Sequence, residues 1–163
     1  MRLQLALNVG DLDEAIAFYS RMFATEPAKV RPGYANFAIA DPPLKLVLFA
    51  DGGDPGSINH LGVETEAGAE VVAAEARLST SGLETTGVDD TLCCYAEKTE
   101  TWVHGPDGLR WEWYVKLGDS EQLANVTIRC RRRLHVGTVP INESPWAGSE
   151  EIAQGTRCGC RYT

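Results

Sequence analysis

The chain has 163 residues, 44% of them hydrophobic, and a formal charge of -8 at pH 7. That length allows one compact domain with a core large enough for an enzyme or a small-molecule binder. The acidic balance argues against a nucleic-acid partner and against anionic membranes, and neither a membrane-length apolar run nor a basic start leading into one is visible, so the expected location is the cytoplasm.

From Leu3 to Val9 the chain reads as a strand, and Asp11 followed by Glu14 supplies a helix start in the manner of a capping box. Leu12, Ala15, Ile16, Tyr19 and Phe23 then recur at helical spacing. Three short strands are expected near Ala28 to Arg31, Tyr34 to Ala40 and Leu44 to Phe49, divided by Pro32-Gly33 and Asp41-Pro-Pro. The order begins again with a strand at Ile58 to Glu64 and a helix at Ala69 to Leu78 stopped by Gly82. Strands near Glu84 to Val88, Thr101 to His104 and Leu109 to Val115 complete the second unit. The expected fold is therefore α+β, with two βαβββ modules, about 1–52 and 56–118, forming a curved mixed sheet around a metal-binding cavity. From Asp119 the periodicity fades; Gln122 to Cys130 could hold one more short element, and 119–163 is expected to be a largely mobile tail.

Five cysteines, an odd number in a reducing compartment, point to free thiols or soft-metal ligands rather than a disulfide framework. Cys93 and Cys94 are adjacent. Consecutive side chains of a regular strand face opposite ways, so both sulfurs can reach one atom only where the backbone bends. Val-Asp-Asp-Thr before the pair and Ala-Glu-Lys-Thr-Glu after it read as a mobile loop able to present two thiols to one thiophilic centre. The plainer alternative is that they are small buried hydrophobes. Cys130, Cys158 and Cys160 fall in the tail, where no role is assigned.

Strand alternation sorts the remaining candidates. Leu3, Leu5, Leu7 and Val9 suit a helix-covered face, which leaves Gln4, Ala6 and Asn8 on the other; likewise Leu61 and Val63 leave His60 and Gly62, and Trp111 and Trp113 leave Glu112. Aligning the halves by element puts Gln4 opposite His60 and Val47 opposite Glu112. An amide oxygen, an imidazole and a carboxylate can hold a divalent first-row metal with open positions for chemistry, while Val47, which cannot ligate, argues against a saturated structural site. Singly, each of the three also reads as an ordinary buried or surface polar group. His104 and His135 have no matched placement.

The run Gly10-Asp-Leu-Asp-Glu-Ala-Ile-Ala-Phe-Tyr, the run Gly105-Pro-Asp-Gly-Leu-Arg-Trp-Glu-Trp-Tyr and the duplicated unit resemble the vicinal oxygen chelate superfamily, the glyoxalase and bleomycin-resistance fold, over about residues 1 to 117. Arg31-Pro-Gly-Tyr-Ala-Asn-Phe-Ala-Ile-Ala-Asp-Pro-Pro-Leu-Lys-Leu-Val-Leu, Asn59-His-Leu-Gly-Val-Glu and Thr91-Leu-Cys-Cys-Tyr-Ala are similar, more narrowly, to carbon-arsenic lyases and the related cadmium-induced proteins. The resemblance implies an Fe(II)-dependent dioxygenase that removes the organic group of trivalent organoarsenicals such as methylarsenite to leave arsenite. It implies iron ligands at Gln4, His60 and Glu112 and arsenic-binding thiolates at Cys93 and Cys94.

Arsenic is soft and bonds thiolates, whereas dioxygen activation needs a metal on harder ligands, so two unlike sites must adjoin. The cysteine loop is expected to act as a lid, Lys98 to favour the thiolate, and Tyr95, Phe37, Trp102 and Tyr114 to supply walls. The competing readings are a thiol-based cadmium or arsenite binder without catalysis and, weakened by Val47 and Gln4, a glyoxalase-type isomerase. The partner is a small molecule, with neither nucleic acid nor membrane, and the chain acts as monomer or homodimer.

Overall fold

The computed structural model describes residues 1–128, so Cys130, Arg131-Arg-Arg, His135, Cys158 and Cys160 lie outside the described residues. In chain order the elements are β1 Arg2–Val9, α1 Leu12–Phe23, β2 Lys29–Arg31, β3 Tyr34–Ile39, β4 Leu44–Ala50, β5 Ile58–Glu64, α2 Gly68–Thr80, β6 Asp89–Cys93, β7 Ala96–His104, β8 Arg110–Asp119 and β9 Val126–Thr127. The strands form a nine-stranded mixed sheet in the order β2-β3-β4-β1-β5-β8-β7-β6-β9, curled into a half-barrel of the expected α+β kind.

The two modules meet where β1 lies antiparallel to β5, with Leu5 facing Leu61. On the outer side of each, a parallel partner repeats the same register: Leu5 faces Leu46 of β4, and Leu61 faces Trp111 of β8. A local twofold through Leu5 and Leu61 therefore relates Gln4 to His60 and Val47 to Glu112, as the element alignment predicts. Alternation does the rest. Gln4, Ala6 and Asn8 are buried on the concave face, whereas Leu3 on the convex face is 46% exposed. The concave face, not the helix-covered one, is the better shielded side of β1.

Helix α1 starts where Asp11 Oδ1 accepts from the Glu14 N–H at 2.9 Å, and it ends at Ala24 in the left-handed region. Its Leu12, Ile16, Tyr19 and Phe23 pack on a buried cluster of Phe37, Ile39, Leu46 and Leu48. Phe37, expected as a cavity wall, thus belongs to the helix side, because residues 35, 37 and 39 share that face of β3. Helix α2 has no side-chain cap at Ala67; Glu70 instead reaches back to accept from the N–H groups of Glu66 and Ala67. Val71, Ala74 and Leu78 are its buried face.

Other expectations change as well. Glu84 to Val88 forms no strand beyond a single bridge from Thr85 to Val103. The segment around the cysteines is not a loop: β6 pairs with β7 and β9, and Cys93 faces Ala96 across a two-residue turn. Asp89 and Asp90 are poor strand formers, which hid β6, but Asp90 accepts from Thr99 Oγ1 at 2.6 Å and the neighbouring strands supply the ladder. Residues 119–128, read with the tail, complete β8 and add β9. No helix among the described residues is long and apolar enough to cross a membrane. Asp11→Ala should lower stability by about 1 kcal/mol by orphaning a first-turn N–H, measured as a shift in urea midpoint at unchanged slope.

Candidate active site

Gly62 is the pivot of the site. It faces Gln4 across β1 and Glu112 across β8, and a Cβ there would come within 3.2 Å of Gln4 Nε2 and 3.5 Å of the Glu112 carbonyl oxygen. A side chain at this point would press on the Gln4 side chain, and glycine leaves it room. Gln4 Nε2 lies 2.9 Å from His60 Nε2 and donates to Glu112 Oε2 at 3.2 Å, and the imidazole nitrogen and carboxylate are 3.5 Å apart. Gln4, His60 and Glu112 are only 4%, 5% and 1% exposed, so each must find its partners inside the protein.

Asn59 sets the histidine. Its Nδ2 donates to Asn8 Oδ1 at 2.8 Å, and its Oδ1 accepts from Arg110 at 3.2 Å, so the atom 2.8 Å from His60 Nδ1 is an acceptor. The Nδ1 therefore carries the proton and Nε2 keeps its lone pair aimed at Gln4 and Glu112, the tautomer a metal ligand needs. Trp102 packs edge-on against the ring, with centroids 5.2 Å apart.

Charge is arranged in a second tier. The Lys98 ammonium contacts both Glu112 and Glu100. Burial alone would pull Lys98 down, but Glu112 and then Glu100 outweigh it and hold the ammonium above its usual range. Burial likewise pushes Glu112 up, yet the Lys98 ammonium holds it well below the ordinary carboxylate range. Glu100 is raised, chiefly by burial. Across the floor, Tyr114 donates to Gln4 Oε1 at 2.7 Å and accepts from Lys45 Nζ at 2.8 Å, with the Lys45 and Lys98 ammoniums 4.8 and 5.1 Å from its ring centre.

The thiols enter from β6. Cys94 and Tyr95 are the two turn residues, both at positive φ (57° and 58°), the pattern of a type I′ hairpin turn that asparagine and glycine ordinarily fill. Each side chain held there stores roughly 1–3 kcal/mol of backbone strain. The bend brings the two Sγ atoms to 2.7 Å on one side of the chain. Hydrogen bonding to Cys94 and then burial push the Cys93 thiol up, while accepting from Cys93 pulls Cys94 down against its burial, so Cys94 is the readier of the two to ionise, with Lys98 favouring the thiolate. Both cysteines, together with Gln4, His60 and Glu112, line one cavity of about 180 Å³. Its apolar wall includes Tyr34, Val47 and Phe49, which form a buried cluster with Ala6 and Tyr95 against which Cys94 packs; Tyr95 and Trp102, expected as walls, stand behind the lining, and burial pushes the Tyr34 hydroxyl up to about 12.

All five residues singled out from sequence thus border one space. Among the described residues no cluster of three or more His, Cys, Asp or Glu side chains suits a metal; His60 and Glu112 are completed only by the Gln4 amide. The donor set fits a first-row cation: an ionised carboxylate, a lone-pair-bearing imidazole and an amide, all shielded from bulk water. The amide at present turns its nitrogen inward and its oxygen to Tyr114, so ligation by Gln4 requires it to turn over. Sequence reasoning did not single out Asn59, Lys45 or Glu100. The alternation on β4 and β7, which puts Lys45 beside Val47 and Glu100 beside Lys98, carried part of that signal.

Residues 3–113 match the profile of the Glyoxalase/Bleomycin resistance protein/Dioxygenase superfamily. The chain is 58% identical over 120 residues to the "Cadmium-induced protein CadI" of Mycobacterium tuberculosis, covering 74% of this chain and 79% of the relative. It is 56% identical over 124 residues to the "Trivalent organoarsenical cleaving enzyme" of Thermomonospora curvata, covering 76% and 82%. Among solved structures, the Mn(II)-bound glyoxalase from Novosphingobium aromaticivorans superposes with a TM-score of 0.54 at 21% identity, over 74% of this chain and 41% of that one, a likeness of fold.

Lys98→Met leaves two buried carboxyls without their cation. In the metal-free protein it should cost about 3–5 kcal/mol at neutral pH. The depressed Glu112 stabilises above the ordinary carboxylate range and the raised Lys98 stabilises below the ordinary lysine range, so the cost should be full between them and shrink as acid protonates Glu112. Urea unfolding of both proteins across pH measures it.

Proposed function

The chain belongs to the Glyoxalase/Bleomycin resistance protein/Dioxygenase superfamily, and on that footing we propose that it is an Fe(II)-dependent dioxygenase that cleaves the carbon-arsenic bond of trivalent organoarsenicals such as methylarsenite, releasing arsenite. The observation that carries the reading is the shared cavity: a pair of soft sulfur donors and a hard nitrogen and oxygen set border the same space. The name of the Thermomonospora curvata relative supports the substrate class.

In this reading Cys93 and Cys94 each displace a hydroxide from arsenic, releasing water as the thiol proton leaves, and together fix the arsenic by two bonds. Cys94, the readier thiolate, attacks first; Lys98 stabilises the second thiolate as it forms. The organic substituent then rests against Val47, Phe49 and Tyr34, which turns an encounter into a positioned reaction. Gln4, His60 and Glu112 would hold Fe(II), which when bound supplies the reducing electrons that dioxygen activation requires. Asn59 keeps the imidazole in its ligating tautomer, and Lys98 keeps Glu112 ionised. The burial of Gln4, His60 and Glu112 limits the water that can reach the reacting carbon. The expected cellular site is the cytoplasm, and the working form a monomer or homodimer.

A second reading keeps the thiols and drops the catalysis: a binder of cadmium or arsenite, for which the paired sulfurs suffice. The two separate in one assay. Aerobic Fe(II)-loaded protein given methylarsenite should produce arsenite, His60→Ala should still bind the arsenical but turn over at least a hundredfold more slowly, and Cys93→Ser should lose both. Tight binding with no oxygen-dependent arsenite would favour the binder, and unchanged turnover in either variant would remove the proposed site.

A further inference from the structure

The Cys94–Tyr95 turn is strained, yet both of its N–H groups, the Tyr95 carbonyl and the Tyr95 hydroxyl are tied down from outside the hairpin. The Cys94 N–H donates to the Leu123 carbonyl at 3.0 Å and the Tyr95 N–H to that of Gln122 at 2.9 Å. The Tyr95 hydroxyl donates to the Pro32 carbonyl at 3.1 Å. Its backbone carbonyl accepts from the Ser120 N–H at 3.2 Å and from Lys29 Nζ at 2.9 Å. Lys29 is the one charged side chain in this set. It stands on β2, the far edge of the sheet, and its ammonium also pairs with Asp119, whose carboxylate Lys116 shares. Asp119 is held down at about 2 by these hydrogen bonds, from Lys116 first and then Lys29, so the carboxylate stays charged at any physiological pH.

These contacts span the cavity. β2 and β6 lie near opposite ends of the strand order, and Lys29, Cys93 and Cys94 line the same space. Lys29 and Pro32 of the first module therefore hold the thiol turn of the second across the mouth. A charged donor on a carbonyl is among the stronger hydrogen bonds, and here it acts on one of the two turn residues held at positive φ.

We propose that Lys29 is a positioning residue: its ammonium, bridged between the Tyr95 carbonyl and Asp119, latches the thiol turn so that both sulfurs face the cavity together. This rests on the reading of Cys93 and Cys94 as arsenic-binding thiolates. With the latch in place, capture of the second bond to arsenic is intramolecular and pre-oriented; without it the turn relaxes and the second sulfur must be recruited. The pair binds as a chelate only while the turn holds.

The test uses the full-length, metal-free protein as wild type, Lys29→Met and Lys29→Arg, with Asp11→Ala as a control for general loss of stability. Amide hydrogen exchange by NMR should quicken at least tenfold at Cys94 and Tyr95 in Lys29→Met while β1 keeps its protection, and Lys29→Arg should restore the wild-type rates; Asp11→Ala should not single out the turn. Isothermal titration with methylarsenite should show affinity at least tenfold weaker in Lys29→Met and recovered in Lys29→Arg. Unchanged exchange at the turn, or equal arsenical affinity in wild type and Lys29→Met, would overturn the latch while leaving the proposed activity standing. Altered exchange with no methylarsenite binding by the wild type would instead overturn the proposed activity and leave the latch.

Discussion

The antiparallel pairing of β1 with β5, with Leu5 set against Leu61, is the constraint on which everything else in this molecule depends. It makes the two modules equivalent about a local twofold, and because side chains alternate, it decides at once which residues of both strands face inward. One residue of slip in β1 would turn Gln4 outward, away from His60, and bring leucines into the cavity. Gly62 then lets β5 carry a histidine and receive the neighbouring glutamine and glutamate without steric conflict. The symmetry is structural but not chemical: where Glu112 stands in one half, Val47 stands in the other, so one side of the cavity carries polar donors and the other an apolar side chain.

Polar groups this deeply buried are costly unless each is answered. The protein answers them in a chain: Arg110 to Asn59, Asn59 to His60, Gln4 to His60 and Glu112, Tyr114 to Gln4, Lys45 to Tyr114, and Lys98 between Glu112 and Glu100. Such a network fixes tautomer, ionisation and orientation together. The thiol side follows the opposite strategy. Its turn is strained and held by contacts from distant segments.

Much of this was legible in the sequence. Period-two alternation on β1, β5 and β8 placed Gln4, His60 and Glu112 on one face, and the repeated element order matched Gln4 with His60 and Val47 with Glu112, as the register later gives. The Asp11 cap and the α1 stripe were equally plain. What escaped was set by partners far along the chain. β6 carries two aspartates and forms a strand through β7 and β9; Cys94 and Tyr95 occupy a turn conformation that favours other residues; and Phe37 joined the helix side because β3 starts one position away from where a wall would need it. The need for a bend at the cysteines was readable, but its nature, a tight hairpin turn rather than an open loop, was not.

The central claim is that sulfur pair and nitrogen and oxygen triad serve one bound molecule. Arsenic X-ray absorption on the Fe(II)-loaded protein, given methylarsenite without oxygen, tests it most directly. The account predicts arsenic bonded to two sulfurs and one carbon, with an iron scatterer in the next shell. Arsenic bonded to a single sulfur, or to two sulfurs with no iron within reach, would contradict it.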